Sequence, residues 1–164
     1  MELVLAMFGS FFIGTLLLCV ALYVISSLSF VKVFKKLGYQ SPGFGWIPIF
    51  NIFVLATIVS TGTTKVKVLG AFELDTTIYR FLWLLPIVIG FIPGSFGTLL
   101  SIAFTILYYG DMYSRVYASI DNTSVEEQTA IGAVSGFISI IFVFKALSAN
   151  DDLVQLRYRA DDVH

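Results

Sequence analysis

The sequence predicts an all-α integral membrane protein, a single membrane domain over residues 1–147 with three transmembrane helices and a re-entrant or interfacial broken helix. Four transmembrane helices are the alternative. Three observations lead there: too little charge for a water-facing surface, long uncharged stretches, and a lopsided placement of Lys and Arg. Of 164 residues, 57% are hydrophobic and 13% charged, and the mean hydropathy is +0.89. Soluble domains carry about 25% charged residues. Half that leaves too few ionic groups to cover a water-exposed surface, so the expected solvent and first partner is the lipid bilayer.

Rare residues exclude whole chemistries. The formal net charge of -1 leaves no basic footprint for nucleic acid. Cys19 is the only cysteine and His164, the last residue, the only histidine. Metal sites built on Cys and His, Ser-His-Asp triads and Cys-His dyads each need a positioned imidazole or thiolate. The sequence therefore predicts no catalytic, cofactor or metal site.

Residues 3–31 contain no charge, and about 20 apolar residues suffice to cross roughly 30 Å of hydrocarbon. A cleaved signal peptide is the competing reading, but that needs a basic start and a shorter apolar core. Residues 37–64 are also uncharged, yet Gly38, Ser41, Pro42, Gly43, Gly45, Pro48 and Asn51 crowd the first half. Its continuous apolar part, residues 47–59, makes a helix of only about 20 Å. Such short runs are often re-entrant or interfacial, and residues 42–62 are read so. Residues 81–110 carry Pro86, Gly90, Pro93, Gly94 and Gly97. Proline frees a carbonyl that must find a partner in lipid, so a kink is expected at Pro93 within one long bent span. Two half-helices forming a hairpin are the alternative. The last span, residues 128–147, ends around Lys145, which can snorkel to the interface. A polar tail, residues 148–164, alternates charge sign.

Cations near spans favour the cytoplasmic side. If residues 37–64 cross, Lys32, Lys35, Lys36 and Arg115 face the other six cations, which is no bias. If they dip in and return, Arg115 alone opposes nine. The expected topology therefore has the N-terminus outside, the C-terminus cytoplasmic, and residues 111–127 in an outer loop.

The run Phe34-Lys35-Lys36-Leu37-Gly38-Tyr39, then Gly45-Trp46-Ile47-Pro48-Ile49-Phe50-Asn51, resembles a family of small prokaryotic multi-pass membrane proteins of unknown function, some grouped loosely with signal peptidases. Their pattern reads F-x-K-A-G, a Trp, I-P-x-Y-N, and later an aromatic-rich span with a second I-P, matched here around Trp83 and Pro86. Phe50 stands where the family has Tyr, and the Asn after the second I-P is missing. The resemblance implies a prokaryotic cytoplasmic membrane and no reaction; no peptidase Ser/Lys dyad carries over.

Three groups of residues carry candidate roles. Trp46, Pro48 and Asn51, with Pro86 and Pro93, mark broken helices; the freed carbonyls and the Asn51 amide either line a polar cavity or serve only to satisfy the broken backbone. Gly132, Ser135, Gly136 and Ser139 give a smooth face for close helix approach, in this chain or another. Tyr109, Asp111, Tyr113, Arg115 and Tyr117 form either an aromatic belt with an exposed ion pair worth about 0.3–0.5 kcal/mol or a docking patch for an extracytoplasmic partner. Glu73 and Asp75 read as a solvated connector. The expected function is a non-enzymatic subunit of a larger membrane assembly, as in secretion, conjugation or translocation, with other membrane subunits or further copies of itself as partners. The alternative is a channel or transporter element whose broken helices line a pathway. Against it, the long apolar runs lack ionisable residues.

Overall fold

The computed structural model describes residues 2–68 and 72–150, excepting the side chains of residues 2–6 and 8. In chain order these form α1 (Glu2–Lys36), a 3-10 turn (Pro42–Trp46), α2 (Phe50–Ser60), an antiparallel hairpin of β1 (Lys65–Val68) and β2 (Phe72–Asp75), α3 (Thr76–Phe81), α4 (Leu84–Gly90), α5 (Ser95–Asp121), α6 (Val125–Phe137) and α7 (Ile140–Ser148). The protein is mostly helical. Among the described residues one helix, over Gly9–Lys36, is long and apolar enough to cross a membrane.

α1 has no internal proline and runs 35 residues, about 52 Å. It stops at Gly38, whose φ of +72° suits a residue without Cβ. The Gly38 N–H donates to Lys35 O at 3.0 Å and the Tyr39 N–H to Phe34 O at 2.9 Å, a Schellman ending. Tyr39 then packs edge-on against Phe34, 5.8 Å between ring centroids.

From there the chain doubles back along α1. Tyr39 lies at Phe34, Gly45 is buried against Val31, and the Tyr23 hydroxyl donates to the Trp46 carbonyl. Between Lys36 and Tyr23 the helix descends about 20 Å. A three-residue turn reverses the chain, with the Phe50 N–H donating to Pro48 O at 2.7 Å around Ile49 at φ +70°. α2 then climbs until Thr57, Ile58 and Thr61 share a cavity wall with residues 37–41. Both ends of the segment 42–62 thus stand at one level.

The two expected later spans are corrected by the same kind of reversal. α3 and α4 descend, residues 91–94 turn, and α5 returns antiparallel, with Tyr79 against Tyr108 and the Ser101 hydroxyl on Pro86 O at 2.8 Å. The bend at Pro93 is therefore a complete turn. Residues 128–147 are broken between Phe137 and Ile140: α6 descends beside α5, and α7 climbs back. No proline marks that break. Packing carries it, because Phe142 stacks on Tyr113 at 4.3 Å and meets Phe30 at 5.1 Å.

These fold-backs gather the cations. The Lys32 ammonium donates to Leu147 O at 2.8 Å, Lys36 to Asn150 O at 3.0 Å, Lys145 pairs with Asp121 at 2.5 Å, and Arg80 donates to Ser60 at 3.1 Å. Arg115 donates to Lys67 O at 2.6 Å. With Lys35 in the last turn of α1 and Lys65 on the hairpin, all eight Lys and Arg of the described residues occupy one end of the molecule. The expectation that Arg115 and the loop around it lie across a bilayer from Lys67 and Lys145 is overturned, since a hydrogen bond cannot span that distance. The core lies at this same end, built around Phe34, Leu55, Val59, Tyr79, Met112, Tyr117 and Phe142. Below it, residues 11–13 and 16–18 of α1 expose apolar side chains, Phe11 75% and Phe12 69%.

Candidate functional site

Asp111 and Arg115 stand one turn apart on α5, and the Arg115 Nε donates to Asp111 Oδ2 at 2.9 Å. Their side chains are 1% and 2% exposed. The Tyr79 hydroxyl donates to the same carboxylate oxygen at 2.9 Å, and the Arg115 carbon centre lies 6.0 Å from the Tyr79 ring. Burial, then the Asp111 carboxylate, raise the Tyr79 phenol well above its ordinary range, which keeps it protonated as donor. Two charges taken out of water need this many partners to offset their lost hydration. The cluster ties α3, β1 and α5 into one unit.

This corrects the reading of that sequence patch. Asp111, Tyr113, Arg115 and Tyr117 are core residues, and Tyr109 is half-buried against Tyr108 and Tyr113. They form neither a docking patch nor an exposed ion pair. The i, i+4 spacing was visible in the sequence; Tyr79 and the Lys67 carbonyl, which complete the cluster, lie 32 and 48 residues away from their partners.

Gly132, Ser135 and Gly136 face α5 within this chain. A Cβ on Gly132 would stand 2.5 Å from Gly110 O, and one on Gly136 2.8 Å from Gly110 N. The backbones meet directly, as small residues allow. Ser135 accepts from the Tyr117 hydroxyl at 2.8 Å. Ser139 is exposed at the start of α7 and does not join the seam.

Where the reversals at Pro48 and Ser139 meet α1 and α5, they leave an open cleft of about 420 Å³. Pro48 and Asn51 line it, with Ser26, Ser27, Tyr109 and Tyr113 among the other walls. Trp46 stands beside its rim, edge-on to Tyr23 at 6.5 Å. Pro86 is buried in α4 and Pro93 exposed in the turn after it, so neither belongs to the cleft. Sequence reasoning missed Ser26 and Ser27; the serine pair within an apolar helix was the available signal. Glu73 pairs with Lys65 at 3.7 Å in solvent, and Asp75 caps α3 by accepting from the Thr77 N–H at 2.7 Å. Among the described residues no three His, Cys, Asp or Glu side chains converge as metal ligands.

No protein-family model matches the chain, and neither characterised proteins nor solved structures show a match. The motif resemblance around Trp46 and Pro86 therefore stands on those residues alone.

Proposed function

We propose that this chain is a non-enzymatic integral membrane subunit of a larger assembly, of the kind used in secretion, conjugation or translocation. One observation carries the reading: the apolar surface of α1 below Tyr23, with Met7, Phe11, Phe12, Leu16 and Leu17 each more than half exposed. Soluble monomers rarely expose contiguous apolar patches beyond a few hundred Å². Lipid and neighbouring subunits would cover this one, while the cation-rich end sits at the cytoplasmic surface. The paired half-depth segments then dip from that end and return, with irregular backbone only where it is covered by protein or lines a cavity.

Carbonate extraction followed by purification in mild detergent tests this. The protein is expected to stay with the membrane pellet and to purify with other polypeptides. Release by carbonate would overturn membrane residence, and an isolated monomer would overturn the assembly. Ion flux in liposomes that Asn51→Leu abolishes would favour the pathway alternative instead.

A further inference from the structure

We infer that the cleft between the Pro48 turn, α1 and α5 is a binding site for an uncharged amphiphile: a lipid-like molecule with a carbonyl-bearing neutral head and an apolar tail. The inference rests on the membrane reading for the route of the tail. At about 420 Å³ the cleft falls within the range of small-molecule sites, roughly 300–1,000 Å³.

The character of the head follows from the walls. Ser27 is 2% exposed and Tyr113 4%, both line the cleft, and neither side chain has a hydrogen-bond partner within the described structure. The Asn51 amide, half-buried in the same wall, has none either. These polar atoms are not sealed in the core but keep access to the cleft, and two hydroxyl donors beside an amide suit a carbonyl oxygen. Among the described residues no Lys, Arg, Asp or Glu lines the cleft. A charged head would lose its hydration there with no counter-ion, which selects a neutral one.

The tail has a route. Tyr23 lines the cleft, and Val20 and Leu16, three and seven residues before it, continue the same helical face with 51% and 52% exposure. At the rim, Ile49 is 57% exposed and holds φ +70°, a conformation that β-branched residues rarely adopt. Strained backbone of this kind clusters at ligand sites.

The test uses the full chain in lipid nanodiscs with a photoreactive diacylglycerol and a photoreactive phosphatidic acid of the same acyl chains. Diacylglycerol is expected to label peptides from the cleft about five-fold or more over phosphatidic acid. Asn51→Leu, and separately the near-isosteric Tyr113→Phe, should each cut that labelling about five-fold, the effect of one hydrogen bond, with helicity and elution volume unchanged. Competition by unlabelled diacylglycerol assigns the carbonyl to a lipid ester, and competition by a short-chain ubiquinone assigns it to a quinone. Equal capture of both lipids, or full labelling in both variants, would overturn the site. Loss of membrane residence itself is read by carbonate extraction, apart from any of these.

Discussion

Arg115 and Lys67, 48 residues apart in the chain, are joined by a hydrogen bond of 2.6 Å from the guanidinium Nη2 to the backbone carbonyl. That bond places the last third of α5 beside the β-hairpin. With the Lys145–Asp121 pair it brings every connection between the fold-backs to one end. The count of nine cations against one lets residues 37–64 turn back but takes residues 81–110 and 128–147 as crossing. Here all three stretches fold back within the molecule, and the count mis-sorts Arg115.

Sidedness follows. In a Cys19→Ser background, single cysteines at Thr63 and Asn122 should react with an impermeant maleimide from the same face of sealed vesicles. Labelling of the two from opposite faces would contradict the packing of α5 against the hairpin.

The buried pair predicts asymmetric mutational costs. Asp111→Ala leaves Arg115 charged and without its carboxylate, so unfolding in detergent should become easier by about 3–5 kcal/mol. The double variant Asp111→Leu, Arg115→Met removes both charges and should lose less. Equal losses for single and double variants would show that the carboxylate does not hold Arg115.

At the α5–α6 seam, Gly132→Ala places a methyl against Gly110 and Ser114 and should destabilise by about 1–3 kcal/mol. Gly14→Ala on α1 meets nothing within 4 Å and should be neutral or stabilise by about 0.5–1 kcal/mol, since alanine restricts the unfolded chain. Thermal melting of the two variants compares them directly.

Tyr79 predicts an alkaline limit. Its native phenol is raised, so the unfolded chain gives up that proton first, near about pH 10. The stability it contributes is full below that pH and is lost as pH rises towards the native value. Tyr79→Phe should flatten the fall in melting temperature above about pH 10. An unchanged slope would remove Tyr79 from the alkaline transition.

The sequence by itself determined the long apolar α1, the Gly/Pro interruption at residues 42–51, the turn signals at Pro93-Gly94 and the smooth Gly132–Gly136 face, because each rests on local composition or a single helical period. The Asp111–Arg115 spacing was legible in the same way. Only the tertiary structure decided that residues 138–139 reverse, that Asp111 and Arg115 are buried with Tyr79, and that Ser26, Ser27, Asn51 and Tyr113 surround one cleft. A reversal without Pro or Gly is stabilised by contacts such as Phe142 on Tyr113 and Phe30. Those contacts join residues far apart in the chain, and hydropathy, being a sum over neighbours in sequence, carries no information about them.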